Sequence, residues 1–165
     1  MRVYGVTGWK NSGKTGLVER LVGEITGRGI GVSTVKHAHH AFDVDQPGRD
    51  SYRHRVAGAR EVLLASGVRV ALMQELRGAP EPGLEELLAR LSPVDLVLIE
   101  GYKRAPHPKI EAHRAETGQA LIAPGDASIR AVASDVAGRL NIDRPVFDLN
   151  DTVAIADFVL DQAGL

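Results

Sequence analysis

The chain has 165 residues and no cysteine, with 20 Lys and Arg against 21 Asp and Glu for a formal net charge of -1. That length fits one domain over 1–165 able to bury its own core, and the missing thiols exclude disulfides, Cys-ligated zinc and thiol catalysis. The balanced charge gives no global pull toward nucleic acid or an anionic membrane, no apolar run approaches the roughly 20 residues of a membrane span, and with no signal-peptide pattern at the N-terminus the expected location is cytoplasmic.

Arg2 to Thr7 is rich in β-formers and predicts a first strand. After a glycine loop, Leu17, Val18, Leu21, Val22 and Ile25 recur at helical spacing, and Gly27 and Gly29 stop that helix. Val32 to Val35 predicts a second strand, 38–50 a polar loop punctuated by Pro47-Gly48, and Ser51 to Ala57 a short helix. Glu61 to Ala65 and Val68 to Met73, split by Ser66-Gly67, predict a hairpin. Gly83 to Leu91 reads as an amphipathic helix. Asp95 to Glu100 is a buried strand closed by a carboxylate. Lys109 to Arg114 with Ala120 to Ile122 reads as a second hairpin. Ala131 to Ala133 and Val146 to Phe147 are short strands, and Asp151 to Ala163 is a closing helix. Strands alternating with helices predict an α/β fold with a mostly parallel sheet.

The stretch GWKNSGKT at 8–15 fits G-x-x-x-x-G-K-[ST] between a strand and a helix. Gly8 and Gly13 let the backbone curl round an anion, and the N–H groups of residues 11–15 form a nest at a helix N-terminus. Lys14 reaches the β- and γ-phosphates, and the Thr15 hydroxyl ligates Mg²⁺. Glu100, at the C-terminal end of its strand, is the second metal ligand. Asp135, in AVASD, is placed to accept from the guanine edge, which favours GTP; FDLND at 147–151 is a second acidic candidate.

Residues 36–60 hold four of the six histidines (37, 39, 40 and 54), five Lys or Arg and three Asp. They follow the second strand, where switch-like segments approach the γ-phosphate. Asp43, Asp45 and Asp50 then position Mg²⁺ or water, with Asp43 and Asp45 the catalytic candidates beside Lys14. Arg49, Arg53 or Arg55 offsets phosphate charge or binds a second anion. A histidine metal site and a plain polar loop are the alternatives. Lys103, Arg104 and Lys109 add a second basic segment past Glu100.

GWKNSGKT, VKHAHHAFDVDQPGRDSYRHRVAGA, DLVLIEGYK, PKIEAHR, AVASD and FDLND in that order resemble the molybdopterin-guanine dinucleotide biosynthesis protein B family, over about residues 2–160. The resemblance implies a P-loop NTPase-type three-layer fold, mostly parallel and flanked by helices, with an added β-hairpin. It implies a homodimeric GTP-binding adapter of molybdenum-cofactor maturation that uses GTP and Mg²⁺ and is at most a slow GTPase. Its implied partners are the guanylyltransferase that joins GMP to molybdopterin and, through the basic segments, molybdopterin itself. The phosphate-binding set carried over is Gly8, Asn11, Ser12, Gly13, Lys14 and Thr15, with Gly16 where the family commonly has another Thr. The hairpin at 107–123 resembles a dimerisation element. A P-loop small-molecule kinase using ATP and a pure binding module are the competing readings.

Overall fold

Most of the elements form where the apolar spacing places them. In chain order they are β1 (Arg2–Thr7), α1 (Lys14–Gly27), β2 (Val32–Lys36), α2 (Asp50–Val56), β3 (Glu61–Ala65), β4 (Val70–Gln74), α3 (Leu84–Ala89), β5 (Leu96–Glu100), β6 (Lys109–His113), β7 (Ile129–Ser134), β8 (Val146–Asp148) and α4 (Thr152–Ala163). This computed structural model describes residues 1–38 and 42–165. Its contacts divide the chain into two compact units, Met1–His37 with Leu91–Leu165, and Ala38–Arg90.

The first unit is a six-stranded sheet in the order β2-β5-β1-β6-β7-β8, with every neighbouring pair parallel. Leu17, Leu21 and Ile25 of α1 and Ile155 and Val159 of α4 bury their shared face on Tyr4, Val6, Leu98, Ile110 and Ala133 of the sheet. Burying each such side chain contributes about 2 kcal/mol. α4 begins where the Asp151 carboxylate accepts the Ala154 N–H at 3.1 Å and ends at Gly164 in a left-handed turn. On the other face, Leu121, Ile122 and Ala123 close over Ile129 and Val132.

The expected hairpin at 107–123 is not formed. Lys109–His113 is instead a central strand, parallel to β1 and β7 and buried at all five positions. Residues 120–122 form no strand and run into a short 3-10 turn at Ala123–Gly125. The physical reason is the polar side of β6, which is satisfied from within. Lys109 Nζ donates to Ala105 O and Ser128 Oγ, each at 2.5 Å. Glu111 accepts from the N–H groups of Ile122 and Ala123 at 2.9 and 2.8 Å, and His113 Nδ1 meets Ser134 Oγ at 2.9 Å. Burial pushes the Glu111 carboxyl up from its ordinary range, against the pull of those N–H groups. A strand buried in this way offers no edge to another subunit.

β5 and β6 lie on opposite sides of β1, so residues 101–108 must carry the chain across β1. They pass over Gly5: a Cβ there would lie 2.5 Å from His107 Nε2 and 2.8 Å from Lys109 Cβ. Both His107 ring nitrogens are buried without a hydrogen-bond partner among the described residues. Burial first, and then the Lys109 ammonium, push this imidazole down to about 4, with Asp126 acting the other way. The unfolded chain therefore takes up a proton near pH 6.5 that the folded chain refuses until about pH 4. Stability contributed by neutral His107 is full above pH 6.5 and is lost as pH falls toward 4. A series of melting temperatures should decline across that window in the native chain and decline less in His107→Leu; parallel curves would assign the acid sensitivity elsewhere.

The second unit contains the β3–β4 hairpin anticipated from the sequence, antiparallel with Leu63 opposite Leu72. Arg55, at the end of α2, holds three carboxylates: Asp43 at 2.8 Å, Asp45 at 3.3 Å and Glu75 at 2.8 Å. Ser51 Oγ adds a bond to Asp45 at 2.9 Å. No helix among the described residues is long and apolar enough to cross a membrane.

Candidate functional site

β1 ends at Thr7, and the chain turns through Gly8 (φ 142°), Asn11 (φ 64°) and Gly13 (φ 93°) before α1 starts at Lys14. At Gly8 the turn has no room for a side chain: a Cβ would stand 2.3 Å from Ala112 O and 2.5 Å from Ser12 Oγ. Gly8 is thus needed both for its conformation and for its missing Cβ. Ser12 Oγ is buried without a hydrogen-bond partner among the described residues, a donor available to an anion seated in the loop. A Cβ at Gly16 would meet only Arg20 Nη1, at an ordinary 3.6 Å, so this departure from the usual Thr has no steric cause.

Strand register assembles the polar groups around the loop. β1 and β2 both pair with β5, setting Val6 and Lys36 on either side of Glu100. The Thr15 hydroxyl donates to Glu100 Oε1 at 2.8 Å, and Lys36 Nζ lies 3.4 Å from the same oxygen. Lys14 Nζ donates to Trp9 O at 2.5 Å. Burial lowers the Lys14 pKa; Glu100 opposes this, while Lys103 and Lys36 add to it. Lys14 and Lys36 thus act on one carboxylate, and Lys103 adds positive charge close enough to be felt by Lys14. The two residues expected to ligate Mg²⁺, Thr15 and Glu100, stand in contact. A hydroxyl and a carboxylate at a phosphate loop are the oxygen donors that Mg²⁺ takes together with phosphates and water.

Trp9 is seated from two directions. Its indole N–H donates to Ala120 O at 2.8 Å, and Lys103 Nζ sits 4.1 Å over its ring. With Lys10, Asn11, Glu116, Thr117 and Gln119 it lines a cleft of about 490 Å³ beside the loop. Asp135 ends just beyond β7 at the same sheet edge, exposed, with Oδ1 accepting the Ala115 N–H at 3.0 Å. Sequence reasoning missed Lys36 and Trp9. The signal for Lys36 was its place at a strand end, and for Trp9 its place inside the loop motif.

Asp43 and Asp45 belong to the second unit, where both are engaged by Arg55. That guanidinium holds the Asp43 carboxyl below its usual range, making it a weak base. Arg55, expected to meet a phosphate or second anion, is itself occupied by three carboxylates, while Arg53 is exposed and within 3.8 Å of Asp50. His39 and His40 lie outside the described residues; the His37 ring lies 4.7 Å from that of Tyr102. Among the described residues no three His, Asp or Glu gather as a metal cluster.

A family model described as "Molybdopterin guanine dinucleotide synthesis protein B" matches residues 3–135. The molybdopterin-guanine dinucleotide biosynthesis adapter protein of Haemophilus influenzae is 42% identical over 160 residues, covering 95% of this chain and 86% of that one. Its counterpart in Escherichia coli is 41% identical over 158 residues, covering 93% and 88%. The crystal structure of Bacillus subtilis MobB superposes with a TM-score of 0.78 at 27% identity, covering 99% of this chain and 98% of that one.

Proposed function

The chain belongs to the molybdopterin guanine dinucleotide synthesis protein B family, and from that premise we propose that it acts as the adapter of molybdopterin-guanine dinucleotide biosynthesis by binding GTP with Mg²⁺ at the loop 8–16. The observation that carries the nucleotide reading is the Thr15–Glu100 contact at 2.8 Å beside Lys14. In this reading the backbone of Asn11 to Gly16 and the Ser12 hydroxyl hold the phosphates, Lys14 takes the β- and γ-phosphates, and Thr15 with Glu100 holds the metal. Asp135 reads guanine with the carboxylate oxygen not bonded to Ala115. Hydrolysis is at most slow. The kinase alternative loses support because two of its three proposed bases, Asp43 and Asp45, are tied to Arg55, and the third, Asp50, lies 3.8 Å from Arg53.

Calorimetric titration with GTP and with ATP, each with and without Mg²⁺, tests this. GTP is expected to bind in a Mg²⁺-dependent manner, with ATP at least tenfold weaker, and Glu100→Gln is expected to remove the Mg²⁺ enhancement. Equal affinity for both nucleotides would remove guanine recognition. A Mg²⁺ enhancement intact in Glu100→Gln would remove Glu100 from the metal.

The proposed partners are a second copy of the chain and the guanylyltransferase that joins GMP to molybdopterin, with Lys103, over the Trp9 ring, and its chain neighbour Arg104 as the basic residues for an anionic pterin. The surface proposed for the second copy is the β3–β4 hairpin, not residues 107–123. Leu63, Val68, Val70 and Leu72 are 64%, 94%, 65% and 56% exposed, and a two-stranded hairpin is marginal in water without cover. Leu63→Lys is expected to raise the dimer dissociation constant at least tenfold in sedimentation equilibrium, with the circular dichroism unchanged. An unaltered dimer would exclude the hairpin.

A further inference from the structure

Lys36 stands beside the carboxylate proposed to hold the metal. It closes β2, in register with Glu100 on the adjacent strand, and its ammonium lies 3.4 Å from Glu100 Oε1. That same oxygen accepts the Thr15 hydroxyl at 2.8 Å. Lys14, the loop's own lysine, is directed to the Trp9 carbonyl, so the two lysines do different things at one edge. Glu100 is nearly buried, whereas the Lys36 side chain is 58% exposed.

We propose that Lys36 is a resident cation of this site: it neutralises Glu100 when no divalent ion is present, bridges Glu100 to a metal-free polyphosphate, and is displaced when Mg²⁺ arrives. The inference rests on the reading that the loop binds a nucleoside triphosphate with Mg²⁺. A divalent ion needs direct contact with its oxygen ligands, at about 2.1 Å. An ammonium already on one of those oxygens would then face it at close range, where like charges repel strongly. The carboxylate therefore takes one cation or the other. Without either, two anions would meet: a largely buried carboxylate and the terminal phosphate. Lys36 prevents that encounter at the cost of competing with the metal. Lys36 is thus a positioning residue that sets how strictly nucleotide binding depends on the metal.

The test compares the native chain with Lys36→Met, and with Lys36→Gln as a second variant, in two measurements. In the first, Mn²⁺ is titrated into nucleotide-free protein, with the free ion followed by electron paramagnetic resonance. Removing the competing ammonium is expected to tighten Mn²⁺ binding at least fivefold. In the second, GTP affinity is measured in EDTA and in saturating Mg²⁺. Lys36→Met is expected to lose at least tenfold in EDTA and threefold or less in Mg²⁺, and Lys36→Arg to keep the metal-free affinity within threefold. A residue with a merely structural role would lower both GTP affinities together and would not tighten Mn²⁺. Mn²⁺ affinity unchanged in the variants, or equal losses of GTP affinity in the two conditions, overturns the proposal. If the native chain binds no GTP in either condition, the nucleotide reading fails by itself, and the Mn²⁺ titration alone decides the role of Lys36.

Discussion

Lys14→Ala is expected to weaken GTP binding at least a hundredfold, about 3 kcal/mol, with little change in melting temperature. Among the described residues the lysine donates to the Trp9 carbonyl, and that carbonyl keeps the Ser12 N–H as a donor when the side chain is cut. In the folded protein the ammonium is a disfavoured charge. Burial works against it, Lys103 and Lys36 repel it, and Glu100 draws it in. A polyphosphate supplies the missing counter-charge through charge-assisted hydrogen bonds, which are roughly twice as strong as neutral ones. The binding loss should therefore far exceed any loss of stability. Isothermal calorimetry in saturating Mg²⁺ measures the first and differential scanning calorimetry the second. Retention of native GTP affinity in Lys14→Ala would place the nucleotide away from this loop.

The second large effect is on stability, at Gly5 on the strand that leads into the loop. Gly5→Ala is expected to destabilise the chain by about 3 kcal/mol, the upper range for overpacking a core, and Gly5→Val by more. The added Cβ meets His107 Nε2 at 2.5 Å, which a ring rotation relieves, but also Lys109 Cβ at 2.8 Å, which is fixed by the backbone of β6. Adding His107→Ala to Gly5→Ala should therefore restore only part of the loss. Full restoration would show that the ring was the sole obstacle; no loss at all in Gly5→Ala would show that the crossover can be lifted freely. Because residues 101–108 also carry Lys103 to Trp9, Gly5→Ala should weaken GTP binding as well, through a displaced loop.

What could be read in the sequence was local. The loop 8–15, its strand and its helix occupy one unbroken stretch, and the strand–turn–helix was foreseeable from the spacing of Gly8, Gly13, Lys14 and Thr15. Glu100 was legible because a carboxylate at the end of four apolar residues has few other places to be. The β3–β4 hairpin was legible from its two apolar runs and the Ser66-Gly67 break. β6 was misread because KIEAH alternates as a half-exposed hairpin strand does. Its polar side is buried, and the partners that satisfy it, Ala105, Ser128, Ile122, Ala123 and Ser134, come from elsewhere in the chain. Lys36 was hidden for a similar reason: its pairing with Glu100 is created by strand order. Arg55 looked like an anion ligand because a sequence displays charge but not the carboxylates that occupy it.

Trp9 is the one tryptophan of the chain, and its indole is anchored to Ala120 O on one edge and covered by the Lys103 ammonium. The phosphate loop therefore carries its own optical probe. Indole emission responds to a nearby charge and to the polarity around the ring, and no second indole dilutes the signal. Any event that draws Lys103 toward a phosphate, or frees the indole N–H from the carbonyl, changes the intensity or colour of light emitted from a single known place. Stopped-flow mixing of the unlabelled protein with GTP would thus test the proposed site directly, since a nucleotide seated there should change the indole emission and one bound elsewhere should not.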